Sequence, residues 1–165
     1  MHKLILRREM PTGNPICDDP LLDRLYRSRH IKNSQELDRT LASMHNPNLM
    51  SGVDSAVKLL VESYQKQQRI VIVGDFDADG ATSTALAVLA LRQLGFVNVT
   101  YLVPNRFEQG YGLSVAVAQE ALALDVELLI TVDNGVSSHE GVAFLKTQGV
   151  KVIVTDHHLP PETLP

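Results

Sequence analysis

Four short apolar runs follow one another from Arg69 onward: RIVIV (69–73), VNVTYLV (97–103), VELLITV (126–132) and VKVIVT (150–155). They are rich in β-branched residues and almost unbroken in hydrophobicity, the pattern of strands covered on both faces. Stretches of helical length separate them. Ala81–Leu94 is stopped by Gly95, Ser114–Leu124 comes next, and Ser138–Gln148 is stopped by Gly149, with glycine where a helix C-terminus favours it. Ser137 three residues ahead of Glu140 fits a capping box. Ala81–Leu94 carries Leu86, Val88, Leu89, Leu91 and Leu94 on nearly every side, which predicts a buried helix. Strand, helix and strand in alternation predict an α/β fold, with a parallel sheet and right-handed crossovers.

The first 68 residues read differently. Pro11, Gly13, Pro15 and Pro20 interrupt the opening, and LLDRLYRSRHI and SQELDRTLASMH predict short amphipathic helices. Asp54–Gln67 predicts a longer one, with Val57, Leu60, Val61 and Tyr64 on one side. The expected division is a helical N-terminal region over 1–68 and an α/β domain over 69–165.

At 165 residues, 44% hydrophobic and 21% charged, the chain has the makeup of one globular domain. Its longest apolar stretch, Ala85–Leu91, falls far short of the roughly 20 residues of a membrane span. MHKLILRREM lacks the apolar region and small-residue cleavage site of a signal peptide. A lone cysteine, Cys17, forms no internal disulfide, so a reducing cytoplasm is the expected compartment. The net charge of −4 is unevenly spread, +2 over residues 1–40 and −6 over the remainder. This excludes a strongly basic nucleic-acid binder. A polyanionic substrate would have to be drawn by local groups or by metal ions.

The acids concentrate where such ions would sit. GDFDADG (74–80) follows the first strand, VDNG places Asp133 just past the third, and TDHH places Asp156, His157 and His158 just past the fourth. Carboxyl ends of parallel strands share one edge, where ligands bind. On an extended backbone Asp75, Asp77 and Asp79 would project to one side. Two carboxylates about 4 Å apart repel by roughly 4 kcal/mol at an effective dielectric near 20, and a divalent cation relieves this. Singly, each feature has a plainer reading: an acid capping the next helix, a turn at Asp-Asn-Gly, a structural histidine. Three acidic strand ends together favour a metal site of hard oxygens and imidazole, suited to Mn²⁺ or Mg²⁺. His157 and His158 would diverge on an extended chain, one toward metal and one toward substrate as phosphate contact or proton donor. In NRFEQGYGLS (105–114) Arg106 is a candidate phosphate contact and Tyr111 a base-stacking platform, against the alternative of a polar loop in which Ser114 caps a helix. Thr82, Ser83 and Thr84 would cap the helix after the acidic loop.

GDFDADG, NRFEQGYGL, TVDNG and TDHH, in this order, resemble the DHH phosphoesterase superfamily and, within it, the single-strand-specific 5′ to 3′ DNA exonucleases of bacteria. The resemblance covers essentially the whole chain and implies a Rossmann-like DHH domain with two Mn²⁺ or Mg²⁺ ions. It implies Asp77 and Asp79 as ligands, Asp133 as the carboxylate bridging the ions, His157 as an imidazole ligand and Asp75 as an added acid. Val73 stands where many relatives have a histidine. His158 matches a histidine near the scissile phosphate, and Asp156 a residue that orients the motif. The implied reaction is two-metal phosphodiester hydrolysis at the 5′ end of single-stranded DNA, in repair and recombination. Implied partners are single-stranded DNA and, through regions beyond Pro165, a single-strand-binding protein or a helicase. The implied whole includes a further aspartate, a second lobe and an OB-type region, so the 165 residues read as an N-terminal part, expected to lack full activity alone. Two alternatives stay open: a DHH phosphodiesterase for nanoRNA, cyclic dinucleotides or pyrophosphate, and a non-catalytic metal- or phosphate-binding regulatory domain.

Overall fold

The computed structural model describes residues 12–165, the side chain of Arg106 excepted. The chain falls into two compact units, one ending at Ser51 and the other running from Gly52 to Pro165.

In the first unit, helix α1 (Pro20–Ser28) starts where Asp19 accepts the N–H groups of Leu21 and Leu22, and Pro20 fills a first-turn position that needs no donor. The tract SQELDRTLASMH does not form the expected amphipathic helix. It breaks into 3₁₀ turns at Ser34–Leu37 and Leu41–Ser43. Asp38 accepts the Thr40 N–H, and the Ser43 hydroxyl donates to the carbonyls of Asp38 and Thr40. Short polar side chains here compete with helical hydrogen bonding.

The second unit is the expected α/β fold. Strands β1 (Ile70–Gly74), β2 (Val99–Leu102), β3 (Leu128–Val132) and β4 (Lys151–Thr155) run parallel in the order β2-β1-β3-β4. Alternate residues of the two central strands face opposite layers. Val71, Val73 and Leu129 pack on one side with Val117 and Ala118 of α5 (Val115–Ala123) and with Val142 and Leu145 of α6 (His139–Thr147). Ile70, Ile72, Leu128 and Ile130 pack on the other with Val88 and Leu91 of α3 (Ala78–Gln93) and with Ala56, Leu59 and Leu60 of α2 (Val53–Gln65). Helix α2 thus contributes to the α/β core, and the division between the compact units falls ahead of it.

Three local expectations change. Helix α3 begins at Ala78, inside the acidic loop, and its outer side is bare: Leu86 and Leu89 are 70% and 65% exposed. A helix on one sheet face buries a single stripe, here Gly80, Thr84, Val88 and Leu91 with Ala87 half-buried beside it, and Leu86 and Leu89 fall outside that stripe. Ser138, not Ser137, is the N-cap of α6, and its hydroxyl accepts the Leu113 N–H instead of closing a capping box. Part of the segment after β2 coils into a short helix, α4 (Arg106–Gln109), begun by Asn105, whose side chain accepts the Phe107 N–H.

β1 connects through α3 to β2 on one side of it, whereas β3 lies on its other side. The strand order therefore reverses between β1 and β3, where an open parallel sheet has its ligand crevice.

Candidate metal centre

The acidic residues arrive at that crevice by different local routes. Asp75 follows β1 directly, is buried, and accepts the N–H of Phe76. Immediately beyond it the chain turns into α3. The backbone of Gly80 packs so tightly on Asp75 that a Cβ there would lie 2.2 Å from the Asp75 carbonyl oxygen. Asp77 is the N-cap of α3, its Oδ1 accepting the N–H groups of Asp79 and Gly80 at 3.1 and 3.0 Å. The three acids are therefore not aligned along an extended strand, as the alternation of GDFDADG suggested; Asp79 lies within the first helical turn. Capping falls to Asp77, while Thr82 and Ser83 return their hydroxyls to the carbonyls of Ala78 and Asp79.

Asp133, one residue past β3, adopts a left-handed backbone with φ +62°, a conformation aspartate tolerates better than most non-glycine residues. Its N–H donates to Thr155 O at the end of β4. From β4 the chain leaves the strand, and the two imidazoles lie close together instead of diverging, with centroids 4.7 Å apart. His157 Nε2 is 2.8 Å from Asp133 Oδ1. His158 Nδ1 is 2.7 Å from Asp156 Oδ1, which also accepts the His158 backbone N–H, while Asp156 Oδ2 accepts that of Val136. A carboxylate only accepts, so this contact places a proton on His158 Nδ1. The Asp156 hydrogen bond, reinforced by the charges of Asp156, Asp133 and Asp75 against some loss of hydration, raises the His158 pKa. For Asp156, burial pushes the pKa up, but the bonds from Val136 and His158 outweigh it and hold the carboxyl below the usual value.

Two sets of potential ligand atoms come together, each within 4.8 Å: Asp75, Asp77 and Asp133, and Asp133 with His157 and His158. Asp133 belongs to both. Asp79 and Asp156 belong to neither, and the Arg106 side chain lies outside the described residues. Tyr111 borders the site, its hydroxyl 3.5 Å from His158 Nε2 and its ring edge-on to that imidazole. Beside His158 opens a pocket of about 670 Å³ bounded by Tyr111, Ser114, Ser138, Glu140 and Asp156.

One participant was hidden in the sequence. Asn134, read as part of a turn, is wholly buried, and its amide donates to Val73 O and Val132 O at 3.0 and 2.9 Å. The sequence carried no signal of this, because Asn134 follows Asp133 in an Asp-Asn-Gly that reads as a turn.

A model of the DHH family, N-terminal domain, matches residues 69–165. The chain belongs to the DHH family. The single-stranded-DNA-specific exonuclease RecJ of Haemophilus influenzae is 72% identical over 165 residues, covering all of this chain and 29% of that relative. The Escherichia coli protein of the same name is 56% identical over 146 residues, covering 88% of this chain and 25% of the relative. Among solved structures, exonuclease RecJ bound to manganese superposes with a TM-score of 0.65 at 41% identity, covering 70% of this chain and 30% of that one. The chain thus spans less than a third of the length of these DHH relatives.

Proposed function

We propose that this chain carries the metal-binding part of a 5′ to 3′ exonuclease specific for single-stranded DNA, acting in repair and recombination. The observation that carries this reading is Asp133, shared by two ligand sets that meet at the sheet's reversal point. The similarity to exonucleases of that substrate class over the whole chain supports the substrate.

The donors fit a pair of Mn²⁺ or Mg²⁺ ions. Carboxylate oxygens suit both metals, and adding imidazole favours Mn²⁺. Three carboxylates this close repel one another unless a cation joins them. Asp75 and Asp77 would hold one ion and His157 the other, with Asp133 shared by both sets; Asp79, two residues beyond Asp77 in the first turn of α3, is proposed as a further ligand of the first set. Bound ions supply Lewis acidity and a readily deprotonated water.

The remaining side chains orient and bind. Asp156 fixes the His158 ring and its Nδ1 proton, which leaves Nε2 facing the cleft as the phosphate contact. The raised pKa keeps that imidazole cationic over a wider pH range, as recognition of a phosphate oxygen requires. Arg106 is the second proposed phosphate contact. Tyr111, edge-on to His158, would stack on a terminal base. A single-strand-binding protein or helicase would act through regions beyond these residues, and a cytoplasmic location follows from the substrate.

Isothermal titration with Mn²⁺, combined with a length series of 5′-labelled single-stranded DNA, RNA and dinucleotides, tests the reading in the intact protein. Degradation of long DNA from the 5′ end is expected. Turnover confined to dinucleotides or short RNA would transfer the protein to the short-substrate phosphodiesterases, and metal binding without hydrolysis would make it a regulator.

A further inference from the structure

We propose that Asn134 is a positioning residue that sets the spacing between Asp75 and Asp133, and with it the affinity of the metal centre. The inference rests on the metal reading above and extends it to a residue outside both ligand sets.

The hydrogen-bonded register of β1 and β3 runs out at the pair Gly74 and Val132. Beyond it the two strands carry their carboxylates, Asp75 on one and Asp133 on the other, with no ladder to hold them in step. Asn134 supplies the missing tie. Its two amide hydrogens reach Val73 O on β1 and Val132 O on β3, so one side chain bridges the carbonyl ends of both strands within two residues of each acid. Only the NH₂ end can do this, because both acceptors are carbonyls, and the amide orientation is thereby settled. The side chain is fully buried. Asp133, held left-handed between Val132 and Asn134, therefore has its carbonyl-side neighbour anchored to β1 and its own N–H anchored to Thr155 of β4. Leucine would fill the same volume without providing either bond. Serine has one hydrogen to offer and could restore only one of the two.

The test compares Asn134→Ala and Asn134→Ser with Val117→Ala, a fully buried residue of the cluster that contains Val73, whose aliphatic side chain can donate to neither carbonyl. Mn²⁺ affinity is measured by calorimetry on the intact protein and folding by thermal unfolding. All three variants should melt earlier than the wild type. Only the Asn134 variants should lose metal affinity, by on the order of 10–100-fold for alanine, the range for residues that orient metal ligands, and by less for serine. Should Asn134→Ala fail to fold, the serine variant decides. Mn²⁺ binding as tight in a folded Asn134 variant as in Val117→Ala overturns the proposal. Absence of Mn²⁺ binding by the wild type overturns the metal reading itself and this inference with it, and the wild-type arm separates the two failures.

Discussion

His157 Nε2 lies 2.8 Å from Asp133 Oδ1, across 24 residues of sequence. That contact joins the end of β3 to the end of β4 and makes Asp133 the meeting point of the carboxylate and imidazole sets. Asp133→Asn preserves shape while removing the charge. Mn²⁺ binding should weaken by at least the roughly 10–100-fold typical of outer partners, and single-stranded-DNA hydrolysis should fall to background with the melting temperature near that of the wild type. Calorimetry and a nuclease assay check this; a variant that still cleaves with Mn²⁺ refutes the role of Asp133.

Gly80 has no room for a methyl group, since its Cβ would stand 2.2 Å from the Asp75 carbonyl oxygen and 2.6 Å from its nitrogen. Backbone cannot rotate aside as a side chain can. Gly80→Ala should therefore push α3 off the end of β1, costing about 1–3 kcal/mol of stability, and should weaken Mn²⁺ binding by displacing Asp75 from Asp133. Ala78→Gly, also in the first turn of α3, serves as comparison and should lose helix stability without the same loss of metal binding. Denaturant unfolding and metal titration of both variants distinguish the effects.

Asp156→Asn removes the charge that holds the His158 proton while leaving an oxygen for the Val136 N–H. The His158 ring should then titrate at lower pH, as followed by NMR of the metal-free protein. In the wild type the raised histidine pKa gives a contribution to stability that is complete below the ordinary histidine value and fades as pH rises through the raised one. The lowered Asp156 pKa sets the acid limit, its share vanishing as pH falls through that depressed value. An unchanged His158 titration in the variant would show that the hydrogen bond does not control the ring.

Glu62 on α2 lies between two ammonium groups, with Lys151 of β4 and Lys66 each at 2.6 Å. Bonding to Lys151, and then to Lys66, lowers its pKa from 4.5 to about 2. Because the folded value is depressed, the stabilisation is complete above 4.5 and disappears as pH falls toward about 2. Glu62→Gln should flatten the pH dependence of the melting temperature in that interval and make it less sensitive to salt. A difference between variant and wild type that grows below that interval would contradict the assignment.

The sheet was legible because β1 and β3 are covered on both faces, and burial on both faces leaves an unbroken apolar run in the sequence. The strand ends were legible as well, since Asp75, Asp133 and Asp156 stand where such runs stop. What periodicity did not convey was the path of the backbone beyond each stop. Asp77 could be read either as a strand residue projecting toward metal or as a helix cap; capping by its Oδ1 draws the start of α3 forward to Ala78, which separates Asp79 from the other acids. Leu86 and Leu89 suggested burial because hydrophobicity does not say how many layers surround a helix. Asn134 was opaque for a different reason: its partners are backbone carbonyls, and these leave no trace in the identities of Val73 and Val132.

The strand order β2-β1-β3-β4 places α3 on one face of the sheet and α6 on the other, so the hollow at the β1–β3 junction is a product of connectivity. Replacing the acids that line it would strip away the chemistry and leave the vessel standing. Under the proposed function, a protein disarmed in this way should bind a single strand without cutting it, and so serve as a trap for the proposed substrate.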